Sequence, residues 1–210
     1  MERIRFYVDV DTQWDFCDPQ GALPVAGAPG ALEGCRALIR RAVERGDLLV
    51  GSVDTHHFNA WEYRQNGGPF PVHCQKGTRG WLKMDGTLPE RAVFVPNLGA
   101  GERLYSVPEG ATSVLFEKEV YSLFANPQAE PLLDQLLARR GLSRAEVTAV
   151  VFGVATDYCV KAAALGLVER GYDVEVVEDA IAGVAPETTT LALEEMARVG
   201  CRLIRVRSLL

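Results

Sequence analysis

Positive charge is in short supply in this chain. Its 22 lysines and arginines are outnumbered by 28 aspartates and glutamates, for a net charge of −6. An acidic surface repels phosphate backbones and anionic lipid, so neither nucleic acid nor a membrane surface is expected as a partner. No run of about eighteen apolar residues occurs, which excludes an apolar spanning helix, and no basic-then-apolar leader marks the chain for secretion. Cys-x-x-Cys pairs are missing too. The five cysteines (17, 35, 74, 159 and 201) are odd in number and scattered. That pattern fits a reducing cytoplasm and excludes a disulfide framework. Internal repeats, low-complexity tracts and breaks in composition are absent, so residues 1–210 are expected to form one domain.

What is present is apolar and regularly spaced. With 48% hydrophobic residues in 210, the chain has enough apolar surface for a full core without staples. Apolar, β-branched runs predict strands over Ile4–Val10, Leu48–Val53, Ala92–Val95, Ser113–Phe116, Val147–Gly153, Val174–Val177 and Arg202–Val206. Helical spacing of apolar residues predicts helices over Ala31–Arg45, Glu130–Arg140, Tyr158–Arg170 and Thr188–Val199. Strands alternating with helices, and apolar almost throughout, predict an α/β fold: a three-layer α/β/α sandwich around a mostly parallel sheet. Ligands of such sheets bind beyond the carboxyl ends of the strands. One long irregular segment, from Asp54 to about Glu90, holds all three histidines. A loop of that length in a compact domain is usually functional.

The chemistry-bearing residues fall at that edge. After the fifth predicted strand, Gly153 to Val160 makes a tight turn and places Cys159 at the start of a helix. Unpaired N–H groups and the helix dipole there lower a thiol pKa and offer donors to an oxyanion. After the first strand, Asp9 and Asp11 alternate with valines and fall on one side of an extended chain. A carboxylate near a thiol serves as its general base, and Asp11 lies further beyond the strand end. Asp54 and His56, two apart, share one side, whereas His57 points away. Joined by His73 and an oxygen ligand such as Glu62, they make a mixed nitrogen and oxygen site for one divalent ion, Zn²⁺, Fe²⁺ or Mn²⁺. Lys118, just past a short apolar strand, is either a solvated strand end or an ammonium that fixes the charge of a carboxylate and a thiolate.

Together these residues resemble the isochorismatase-like cysteine hydrolases, and among them the nicotinamidases. The motif V-D-x-Q-x-D-F matches Val10 to Phe16, the strand-end lysine matches Lys118, and G-x-A-T-(D/E)-x-C-V matches Gly153 to Val160. The D-x-H and P-x-H-C segments match Asp54 to His56 and Pro71 to Cys74. The resemblance implies a catalytic set of Asp11, Lys118 and Cys159, with Asp11 rather than Asp9 as the acid. It implies a cis peptide between Val154 and Ala155, an oxyanion hole from the Ala155 and Cys159 N–H groups, and ring-packing walls at Phe16 and Phe70. Metal ligands would be Asp54, His56 and His73, with Glu62 standing where the family commonly has a second histidine. The implied protein is a cytoplasmic amidohydrolase and homo-oligomer that acts on a small-molecule amide. It would turn nicotinamide into nicotinate and ammonia for NAD salvage, with a bound divalent ion, zinc first. Rival readings are a metal-independent hydrolase of the same scaffold acting on a carbamoyl or ureido compound or on isochorismate, and a non-catalytic interaction protein.

Overall fold

A single sheet of seven strands organises residues 4–97 and 105–210, which the structure, a computed structural model, describes. The strands are β1 Ile4–Val10, β2 Leu49–Asp54, β3 Ala92–Val95, β4 Ser113–Lys118, β5 Val147–Val154, β6 Asp173–Ala182 and β7 Arg202–Ile204. Their order is β3-β4-β2-β1-β5-β6-β7 and every pairing is parallel. The helices are α1 Trp14–Cys17, α2 Ala28–Arg45, α3 Ala129–Ala138, α4 Lys161–Glu169 and α5 Pro186–Arg198.

The alternation of side chains along each strand splits the core into two layers. Phe6, Val8, Val10, Val50 and Val151 face α3 and α4, where Leu132, Leu133, Leu136 and Leu167 cover them. Tyr7, Leu49, Val150 and Phe152 face α2 through Cys35, Leu38 and Ile39. Burying both faces explains why the strands are apolar almost throughout. It also yields the expected three-layer sandwich. All five cysteines are buried and free, as their scatter implies. No helix among the described residues is long and apolar enough to cross a membrane.

The elements depart from expectation mostly at their ends. Pro29 and Pro186 sit in the first turns of α2 and α5, where a missing N–H costs nothing, so both helices begin earlier than apolar spacing predicts. β6 runs on to Ala182 through the exposed Glu178 and Asp179, which interrupt its apolar pattern. The largest difference concerns the turn after β5. Residues Thr156–Val160 form a π-turn, and α4 starts only at Lys161. Cys159 therefore lies inside a widened turn, a local form often found at functional sites, rather than at a helix start.

The sheet order carries the consequence for function. From β1 the chain moves outward to β2, and from β5 it moves the opposite way to β6. The crevice beyond the carboxyl ends of β1 and β5 is the switch point where such sheets bind ligands. Asp11 follows one of these strands and Cys159 the other.

Candidate active site

β1 and β5 are paired residue for residue up to Val10 and Gly153, and the close approach there requires a glycine. Gly153 has φ 116°, and a Cβ on it would lie 2.0 Å from the Val10 carbonyl oxygen. Beyond the pair, the Val154–Ala155 peptide is cis, as the resemblance implies. Asp11, one residue past β1, has φ 46°, so the backbone leaves the extended conformation at that residue. The alternation that would put Asp9 and Asp11 on one side fails for this reason. Asp9 meets Lys83 and Thr12, while Asp11 meets Lys118 and Ser52.

Lys118, at the end of β4 and fully buried, is the hub of the site. Its ammonium lies 2.8 Å from Asp11 Oδ2, 3.0 Å from Asp54 Oδ1 and 3.5 Å from Cys159 Sγ. Burial works to neutralise this lysine, but Asp11 and Asp54 overcome it and hold the amine well above its usual range. The alternative of a solvated strand end is thereby excluded. Ser52 donates a 2.8 Å hydrogen bond to the other Asp11 oxygen, Oδ1. Around Cys159, burial pushes the thiol well above its ordinary value; Lys118 pulls it down, and Asp11 and Asp54 push it further up. The expectation of a depressed thiol pKa is corrected on this point. A thiol held in this way favours its protonated form.

The second cluster lies against the first. Asp54, His56, Glu62 and His73 are all buried, and one donor atom from each lies within 4.8 Å of the others. His56 Nε2 is 2.9 Å from Asp54 Oδ2 and 2.8 Å from Glu62 Oε1; His73 Nε2 is 3.5 Å and 3.0 Å from the same two oxygens. Donor atoms about 3 Å apart are spaced as ligands held roughly 2.0–2.2 Å from a common ion are, so this set fits one divalent cation. His73 Nδ1 donates to the Pro71 carbonyl at 2.8 Å, which leaves its Nε2 lone pair free to ligate. His57 is exposed and away from the cluster. Without an ion the cluster holds protons. Burial lowers both imidazoles, but the hydrogen bonds they donate to Asp54 and Glu62 raise His56 to about 9 and His73 to about 10.

Three residues that sequence reasoning passed over hold this arrangement. Gln13 accepts from the Asp54 N–H at 2.7 Å and donates to the Asp54 and Trp81 carbonyls at 2.8 and 2.9 Å. It ties the turn after β1 to the end of β2. Asp15 accepts from the Cys74 N–H at 2.8 Å and fixes the strand-like stretch after His73. Tyr63 packs edge-on against both imidazoles and donates its hydroxyl to the His73 carbonyl at 2.7 Å. Gln13 and Asp15 stand inside the quoted opening motif, so a signal was present, whereas nothing local marks Tyr63.

A cavity of about 80 Å³ opens above both clusters. Phe16 and Phe70 line it beside His73, with ring centroids 5.7 and 5.8 Å from that imidazole. Leu23, Tyr121, Tyr158 and Val184 complete an apolar wall, and Ala155 and Cys159 form its floor. Trp14 is not in this wall; it stacks under the Arg79 guanidinium at 3.5 Å. A larger hollow of about 330 Å³ lies at the opposite sheet edge, and neither cysteine nor histidine lines it.

A buried thiol, acid and lysine at the switch point of a parallel sheet, beside four convergent metal-type ligands, make this the candidate active site of an α/β hydrolase. The chain belongs to the isochorismatase family: residues 89–208 match the isochorismatase domain. It is 31% identical to the nicotinamidase/pyrazinamidase of Mycobacterium tuberculosis, over 96% of this chain and 98% of that one. It is 30% identical to the nicotinamidase of Escherichia coli, over 92% and 91% of the two chains. Among solved structures, the zinc complex of Pyrococcus horikoshii pyrazinamidase superposes with a TM-score of 0.70 at 32% identity, covering 96% of this chain and 99% of that one.

Proposed function

We propose that this chain is an amidohydrolase that converts nicotinamide to nicotinate and ammonia through a thioester on Cys159. The observation that carries the reading is the sharing of Asp54. One of its oxygens faces the imidazole cluster, and the other contacts Lys118, which in turn contacts Asp11 and Cys159. A flat aromatic amide with a ring nitrogen offers a donor to one cluster and an electrophilic carbon to the other within one short apolar cavity. The zinc relative and the two nicotinamidase relatives agree with this substrate class.

Asp54, His56, Glu62 and His73 would hold one divalent ion, zinc by its donor set, which supplies a Lewis-acidic anchor for the ring nitrogen. The remaining work belongs to the chain's own side chains. Asp11 takes the proton from the Cys159 thiol while Lys118 balances the charge that forms. The thiolate attacks the carboxamide carbon, and the Ala155 and Cys159 N–H groups receive the developing oxyanion; losing one such donor typically costs about 2.7–4 kcal/mol of barrier. Asp11 then protonates departing ammonia and activates water to hydrolyse the thioester. Phe16 and Phe70 hold the ring in plane, and the apolar wall excludes bulk water.

The test is an ammonia-release assay on purified protein of measured metal content, across nicotinamide, benzamide and a carbamoyl amine, with release of pyruvate followed for isochorismate, which has no nitrogen to release. Nicotinamide is expected to lead, with benzamide gaining little from added metal because it lacks the ring nitrogen. Full turnover of nicotinamide by metal-free protein would remove the anchoring role, and preference for a carbamoyl compound would replace the substrate.

A further inference from the structure

Two fully buried charges lie outside the proposed mechanism. Asp9 and Lys83, with 2% and 1% of their side chains exposed, form an ion pair at 2.5 Å on the α2 side of the sheet. Asp9 also accepts from the Thr12 hydroxyl, at 3.0 Å to Oδ1 and 3.3 Å to Oδ2. Between these partners sits Asp11, whose φ of 46° is one that residues other than glycine seldom adopt unless their surroundings hold it. The segment that carries Lys83 is laced to the same turn: Trp14 N–H donates to the Leu82 carbonyl at 2.8 Å, and Met84 N–H to the Thr12 carbonyl at 2.9 Å.

We propose that Asp9, Thr12 and Lys83 are positioning residues for the acid: a buried ionic staple that holds the Asp9–Thr12 turn closed and so aims the Asp11 carboxylate at Lys118 and Cys159. The inference rests on the reading above, in which Asp11 is the base. Packing alone does not require charges here. Replacing a buried ion pair by apolar residues of similar volume is often neutral or stabilising, whereas removing one partner strands the other. What apolar residues do not supply is an acceptor for the Thr12 hydroxyl, and that bond closes the turn. Lys83 keeps this acceptor paired and joins it to the 82–84 segment.

The experiment compares Thr12→Val, the double variants Asp9→Val/Lys83→Met and Asp9→Asn/Lys83→Met, and Asp11→Asn, all as metal-loaded full-length enzyme. Readouts are kcat and KM for nicotinamide and the melting temperature. Thr12→Val, a near-isostere that leaves both charges in place, is expected to lower kcat about tenfold with KM changed less than about twofold, the pattern of a reacting group held slightly out of place. Asp9→Val/Lys83→Met should show the same loss at an unchanged melting temperature. Asp9→Asn/Lys83→Met keeps an oxygen for Thr12 and should recover most of kcat. Wild-type kcat in Thr12→Val, or equal impairment in the two double variants, would overturn the staple. If a double variant does not fold, Thr12→Val decides. Undiminished turnover in Asp11→Asn would instead overturn the assignment of the base, whatever the other variants show.

Discussion

Cys159 is buried, its thiol is pushed well above its ordinary value by that burial, and it lies 3.5 Å from the Lys118 ammonium. In the proposed reaction it therefore depends on a base rather than on a standing thiolate. Cys159→Ala should abolish amide hydrolysis while the melting temperature and metal content stay as in the wild type; turnover retained in that variant rules out the thioester. Asp11→Asn and Lys118→Ala should each lower kcat by about two to four orders of magnitude, the scale on which a placed proton-transfer group and a preorganised charge contribute. The double variant should lose far less than the product of the two losses, since both act through one thiol. Multiplicative losses would show that the two groups work independently. Glu62 answers to the other cluster. Glu62→Gln should weaken metal binding, measured by competition with a chromogenic chelator, and should raise KM for nicotinamide more than it lowers kcat.

Elements deliver these residues from four strand ends, and the joints between the elements are as consequential as the residues. Gln13 reaches Asp54 across 41 positions of sequence and bonds both its N–H and its carbonyl. Gln13→Glu removes both donated bonds and should cost roughly 10–100-fold in metal affinity, as loss of outer support for metal ligands commonly does; unchanged affinity would show that β2 places Asp54 unaided. Gly153→Ala puts a Cβ 2.0 Å from the Val10 carbonyl oxygen and should destabilise the β1–β5 seam by about 2–4 kcal/mol, read from denaturant unfolding. The strands that deliver the site were legible because burial on both faces leaves an apolar run in the sequence. The site's four loci were legible because strand ends and motifs are local. Less visible was whatever depends on distant partners. The left-handed turn at Asp11 defeats an alternation argument that assumes extended chain, and the π-turn at Cys159 defeats a helix-start argument. The thiol's raised pKa follows from burial and from two carboxylates brought in by β1 and β2, which no reading of the Gly153 to Val160 stretch contains. Lys83 meets Asp9 across 74 positions with no periodicity to announce it.

For the whole molecule, metal and fold are one equilibrium, and pH shows the link. An ion that binds only the folded chain stabilises it by about 2.7 kcal/mol at a free concentration one hundred times its dissociation constant. For a domain of this size that corresponds to about 5–11 °C in Tm, which dialysis against a chelator should remove. The sign of the pH dependence differs between the two forms. In the metal-free protein His56 and His73 rise from 6.5 to about 9 and about 10. Groups raised on folding stabilise the folded state fully below their unfolded value of 6.5, and that contribution disappears as pH climbs through 9 and 10. Metal-free protein should therefore lose stability across that window. In the loaded protein the same imidazoles are deprotonated ligands, so rising pH removes a competitor for the ion and strengthens its hold. The difference in Tm between loaded and metal-free protein should accordingly widen from pH 6.5 to pH 9, measured by calorimetry at fixed free metal. The wild type should also release protons on metal uptake, seen as a dependence of binding enthalpy on buffer ionisation, and His73→Ala should release fewer. A constant or narrowing gap would mean that the two histidines do not share one ion, and the four-ligand assignment would fall with it.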